Sequence, residues 1–131
     1  MSSSKSFLFF FIIMPIFVFS QEINSFVTYD FHKDPTYKIK MLDLKKLEKN
    51  DPSIKTFISI ADLSYYYKDW ETAISYYEKI IVENPSAENY FKLAVAAARK
   101  SLEVSRFFSI TYVLKAKKSV LNAHRLAPKN P

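Results

Sequence analysis

Two histidines, His32 and His124, are the only imidazoles in the chain, and they stand far apart with no HExxH-type partner beside either. That spacing offers no metal site, and both read as ordinary surface residues. Serine, aspartate and histidine are all present, yet no strained nucleophile elbow accompanies them. Asp62 and Asp69 lie seven residues apart but fall on different faces of a helix–turn junction, so no general acid–base pair is expected. With no cysteine, disulfides, thiolate zinc sites, cysteine nucleophiles and iron–sulfur clusters are excluded. No catalytic site, cofactor or metal is read from the sequence. What remains is aromatic and basic: Tyr65, Tyr66 and Tyr67 run together, Tyr76 and Tyr77 follow, and cations crowd the C-terminal half. Such residues point to non-covalent recognition.

The elements that would position them are helical. The chain has 131 residues and no glycine, where average usage of about 7% would give roughly nine. Tight hairpins and phosphate loops lean on glycine, so neither is expected. Helices joined by short polar turns need none.

Met1 to Ser6 is polar and carries Lys5; Phe7 to Phe19 is an uncharged apolar run of 13 residues. That is short of the roughly 20 needed to span a bilayer and suits the h-region of a secretory signal. Ser20 is a small residue before Gln21, which fits cleavage between them; the rival is a retained signal anchor, against which Pro15 argues. No cysteine follows, so a lipid anchor is not expected. Residues 1–20 therefore read as a signal peptide, and the mature chain as exported to periplasm, envelope or medium, without a stable membrane span.

Residues 21–34 read as an extended lead. Asp34-Pro35 supplies an N-cap and a proline at the first helical position, opening a packing helix over 35–50. Its stripe is Tyr37, Met41 and Leu44, widened by Ile39, Leu42 and Leu47. Asp51-Pro52 repeats the start signal for a second helix, which ends at Tyr67 and Lys68. Asp69 caps a third helix with Ala73, Ile74, Tyr77, Ile80 and Ile81 inward, and Asn84-Pro85 stops it. Ser86 caps a fourth, with Tyr90, Phe91, Leu93, Ala94, Ala97 and Ala98 on its stripe. A turn is expected over Val104 to Ser109. A fifth helix then runs to Leu126 with Tyr112, Val113, Ala116, Val120, Ala123 and Leu126 inward. Short loops make neighbours antiparallel.

Two segments repeat. Ala73 and Ala116 each precede a helix-ending proline, Pro85 and Pro128, by twelve residues, with Tyr77 and Val120, then Ile80 and Ala123, at matching places. On these residues the chain resembles the tetratricopeptide repeat family. Phe57, Ile60 and Ala61 take first-helix places, with Ser64 where tyrosine is usual. Ala73, Tyr77, Ile80 and Pro85 take second-helix places. The second unit matches with Phe91, Ala94, Ala116, Val120, Ala123 and Pro128, but its proline lies 43 residues after Pro85, longer than the 34-residue repeat. The run "AARKSLEVSRFFSITYVLKAKKSVLNAHRLAPKN" is similar to a lengthened unit of exported bacterial members. The resemblance implies units of about 53–86 and 87–131 in a short right-handed solenoid, within a repeat domain of 51–131. Two units are fewer than the usual three, so the expectation is a truncated chain or one that self-associates through uncapped helices.

By the same resemblance, first helices line a concave groove. It would carry Lys55, Ile58, Asp62, Tyr65 and Tyr66 from one unit and Asn89, Lys92, Ala96, Arg99 and Lys100 from the next. Tyr65 and Tyr66 could instead cover the core, since consecutive helical residues point about 100° apart. The groove has no repeated Lys/Asn pattern for a terminal carboxylate. Charge is uneven: nine Lys/Arg against twelve Asp/Glu over 21–90, then nine against Glu103 alone over 91–131. This marks an acidic partner or a solvated face, and nucleic acid is not expected. The expected function is an exported scaffold binding a peptide or protein, or, alternatively, a subunit of an envelope assembly docking through its repeat ends. N-terminal sequencing of the protein from its native host is expected to begin at Gln21; an intact Met1 would exclude cleavage.

Overall fold

The computed structural model describes residues 30–128. The signal segment, its Ser20–Gln21 junction and most of the lead lie outside the described residues. A 3-10 turn, Phe31–Lys33, precedes five α-helices: α1 (Pro35–Asn50), α2 (Ile54–Tyr66), α3 (Trp70–Glu83), α4 (Ala87–Glu103) and α5 (Arg106–Leu126). The end of the lead is thus a helical turn rather than extended chain. Phe31 lies edge-on to Tyr37 there, ring centroids 5.3 Å apart. The arrangement is all-α. Each helix packs chiefly on its neighbours in sequence, and the α4–α5 pairing is the most extensive.

The caps explain the boundaries. Asp34 accepts from the amides of Thr36 (2.9 Å) and Tyr37 (3.2 Å), with Pro35 following. Asp69 accepts from Thr72 N at 3.2 Å, and Ser86 from Asn89 N at 3.1 Å. The Asp51-Pro52 signal is used differently from the first. Asp51 ends α1 and Ser53 caps α2, its hydroxyl accepting from Thr56 N at 3.4 Å. The α4–α5 turn is only Val104 and Ser105, both extended, so Arg106 to Ser109 form the first turn of α5. β-Branched and aromatic residues weaken helix propensity only slightly, and packing along α4 overrides it.

The core centres on α2, α3 and α4. Ile60, Ala61, Ser64, Ala73, Ile80, Ala96 and Ala97 are fully buried, and Tyr77 and Leu93 nearly so. Ala61 and Ser64 on α2 and Ala73 on α3 are small, which lets these helices approach closely. Several expected inward positions are not inward. On α1, Ile39, Leu42 and Leu47 are exposed, while Tyr37, Met41 and Leu44 do face the core. Phe91 and Ala98 on α4 are exposed, as are Val113, Val120 and Leu126 on α5. Tyr112 and Ala116 pack on the core, Ser119 is buried and Ala123 half-buried. The repeat comparison placed Val120 with Tyr77. Tyr77 is covered because α3 has packed helices on both sides, α2 and α4. Among the described residues no further helix follows α5 to cover Val120.

The α2–α3 turn shows how a chain without glycine ends a helix. Lys68 adopts φ 63°, the left-handed region. Its amide bonds to Tyr65 O (3.2 Å) and the Asp69 amide to Ser64 O (2.9 Å), the paired bonds of a Schellman cap. A side chain in this conformation costs about 1–2 kcal/mol. Both Lys68→Gly and Lys68→Ala delete the same side-chain contacts, so their difference isolates the backbone. The glycine variant is expected to be the more stable of the two by about 1 kcal/mol in urea unfolding; equal midpoints would exclude strain at this turn.

Candidate binding surface

The ten groove residues come from α2 and α4, and the structure brings part of the set together. Lys92 Nζ lies 3.1 Å from Asp62 Oδ1 across the two helices and 3.1 Å from Glu88 along its own. Tyr77 donates its hydroxyl to the same Asp62 oxygen at 2.7 Å. Tyr65 stands edge-on to Tyr77 and to Trp70, with centroids 6.2 and 5.5 Å apart. Asp62, Tyr77 and Lys92 thus form one connected patch whose polar groups satisfy one another, with the Tyr65 ring packed beside it. Burial pulls Lys92 down, but its bonds to Asp62 and Glu88 outweigh that and hold it above the ordinary lysine value. Two carboxylates already neutralise this cation.

The remaining groove residues divide. Lys100 is largely buried and paired with Glu71 (3.6 Å) and Glu103 (3.8 Å). Asn89 is tied into the α3–α4 turn, its amide side chain donating to Asn84 O at 3.2 Å. Ile58 packs on the core, and Ala96 is not a groove residue but a fully buried member of that core, on the side of α4 that meets its neighbours. Tyr66 is 77% exposed and lies edge-on to Tyr67. Lys55 and Arg99 are exposed, and among the described residues neither makes an ion pair. The groups available to a partner are therefore Tyr66, Lys55 and Arg99, around an internally clamped patch. Neither Lys92 nor Lys100 is a free cation.

Two features escaped the sequence reading. One is a set of tyrosine–carboxylate ties. The Tyr37 hydroxyl donates to the nearly buried Asp69. The Tyr76 hydroxyl donates to Glu48 (2.8 and 2.9 Å to its two oxygens) and accepts from Lys45. Lys79 and Lys45 sit over the Tyr76 ring, 4.4 and 4.6 Å from its centroid. A tyrosine on an apolar stripe needs a buried acceptor, and that was the available signal. The other is an open cleft of about 380 Å³ where α3, α4 and α5 meet. Ile81, Tyr90 and Leu93 give it apolar walls, and the Glu78–Lys115 ion pair lies beside them. Its residues are scattered over three helices, and no local pattern announces it. Among the described residues no three His, Cys, Asp or Glu group as metal ligands, and no helix is long and apolar enough to cross a membrane.

Comparison with protein-family models, with curated proteins and with solved structures gave no match.

Burial, and then the bond to a carboxylate, push the phenols of Tyr37 and Tyr77 well above their ordinary value. The neutral phenol is favoured in the fold. Its contribution is complete below the unfolded value of about 10 and is lost as pH rises from there toward the folded value. Stability is therefore expected to fall above about pH 10. In Tyr77→Phe that fall should be shallower, since one linked phenol is gone; an identical slope in denaturant titrations would refute the assignment.

Proposed function

We propose that this chain is an exported, tetratricopeptide-like scaffold that binds a peptide or protein through the α2–α4 face. The observation that carries the reading is the sequential packing of helix pairs. It leaves the outer faces of successive helices open in a row and makes their spacing rigid. The Asp62–Lys92–Tyr77 network holds α2, α3 and α4 in register. Tyr66, Lys55 and Arg99 then stand on braced helices whose backbone need not reorganise on binding, so the ordering cost is confined to the side chains themselves. A right-handed superhelix, removal of residues 1–20 and a periplasmic, envelope or secreted location belong to the same proposal. They rest on the matching positions of Ala73, Tyr77, Ile80 and Pro85 with Ala116, Val120, Ala123 and Pro128, and on the N-terminal apolar run.

One observation favours a second reading, a subunit docking through its repeat ends. The outward residues Ile39 and Leu42 of α1, and Phe107, Ile110 and Leu114 of α5, are all more than half exposed. Apolar side chains in such rows mark interaction sites.

Photo-crosslinkers at residues 66 and 114, introduced in the native host, separate the two. Crosslinks from position 66 to a defined protein, with capture reduced at least tenfold in the Tyr66→Ala/Arg99→Glu variant and helical circular dichroism unchanged, support the scaffold. Crosslinks from position 114 alone support the assembly reading. A chain that crosslinks from neither position is not an interaction scaffold through these faces.

A further inference from the structure

α5 is apolar on two sides. Tyr112, Ala116, Ser119 and Ala123 are the buried or half-buried side. Opposite them Phe107, Ile110, Leu114 and Leu121 are 83, 62, 60 and 58% exposed, flanked by Val113 and Val120. Their intervals of three, four and seven residues are those of alternating a and d positions in a heptad. Lys117 occupies the d position between Leu114 and Leu121. A stripe with this repeat stays on one side of the helix for several turns, which suits coverage by a second helix rather than by a loop.

Charge selects the occupant. α5 contains five Lys/Arg and no Asp or Glu. Lys115 pairs with Glu78, but among the described residues no ion pair reaches Arg106, Lys117, Lys118 or Arg125. A second copy is a poor fit. Two α5 faces set together would oppose these cations. The other exposed apolar end, on α1, carries five lysines against two carboxylates. A lipid surface fits less well than a helix, because Lys117 lies within the stripe and a bilayer would have to accommodate its charge. A partner helix can place a carboxylate against it.

Resting on the repeat-end reading above, we propose that the outer face of α5 docks an amphipathic helix from another protein, apolar along one stripe and flanked by Asp or Glu. Phe107, Ile110, Leu114 and Leu121 receive the apolar stripe. Lys117, Lys118 and Arg125 meet its carboxylates, fix its register and reject basic helices.

The probe is a labelled 21-residue peptide with Leu at a and d and Glu at e and g, whose own pairing the glutamates oppose; a second peptide has Lys in place of Glu. Both are titrated, by fluorescence anisotropy, into the protein isolated from its native host. Saturable binding of the Glu peptide is expected, at least tenfold tighter than the Lys peptide and weakened at least tenfold by Leu114→Asp. In Lys117→Glu/Lys118→Glu/Arg125→Glu the preference should invert toward the Lys peptide. All four residues are exposed, so circular dichroism should not change. Equal binding of both peptides, or indifference to Leu114→Asp, overturns the proposal. So does a peptide-free dimer broken by Leu114→Asp, which makes a second copy the occupant. Binding to phosphatidylglycerol vesicles, lost in the same variants, with no peptide binding, makes a membrane surface the occupant. Crosslinks from position 66 that survive Leu114→Asp would leave the scaffold standing while the α5 proposal falls.

Discussion

The Asp69 carboxylate is 7% exposed at the turn between α2 and α3, and three helices depend on where it sits. It caps α3 through Thr72 N. It accepts the Tyr37 hydroxyl of α1. Its backbone amide closes the end of α2 on Ser64 O. A carboxylate so placed is tolerable only while these donors are present, because a buried charge without partners is costly. Truncating it would leave the Tyr37 hydroxyl unpaired, at about 1–3 kcal/mol, and would remove a cap worth about 1 kcal/mol. The direction in which α3 leaves α2 is set by this turn, and α4 then packs on α3.

The other tyrosine–carboxylate ties extend the same logic sideways. Tyr76 joins α3 to α1 through Glu48, and Tyr77 joins α3 to α2 through Asp62. Each pairs a large apolar ring, which supplies most of the burial, with one polar bond at its tip, which fixes where the ring can go. The ion pairs Lys92–Asp62 and Lys100–Glu71 then brace α4 against α2 and α3. This bracing pairs two of the cations of the α2–α4 face with carboxylates of the same chain. Basic composition in the C-terminal half therefore overstates how many free cations the α2–α4 face presents. The surplus lies on α5.

That surplus and the exposed apolar stripe share one helix. α3 and α4 have packed neighbours on two sides and bury residues accordingly, whereas α1 and α5 have weak amphipathic character because apolar residues point both inward and outward. Helices that are apolar on two sides are normally enclosed. The described stack thus has a self-satisfied middle and an outer helix on each side that leaves apolar side chains exposed.

The helices themselves were legible in the sequence. Asp34-Pro35, Asp69, Asn84-Pro85 and Ser86 mark their boundaries by local backbone chemistry, which acts within a few residues and needs no tertiary context. The third helix was legible in most of its side chains, since its apolar period is strong and both its sides are covered; Tyr76, buried and bonded to Glu48, was not on the expected stripe. The spacing of Ala73, Tyr77 and Ile80 placed all three correctly in the core. Of the candidate surface, the sequence identified the residues of α2 and α4 but not which were free. Lys92 and Lys100 are paired with carboxylates up to 30 residues away, and periodicity carries no information about such partners. α5 was read only in part: Tyr112 and Ala116 pack on the core and Ala123 is half-buried as expected, whereas Val113, Val120 and Leu126 are exposed. Its apolar residues surround the helix, so the sequence could not say which side α4 would take. The side that packs carries the small residues Ala116, Ser119 and Ala123; small side chains let two helices approach more closely than valines do, and that approach exists only once both helices are in place.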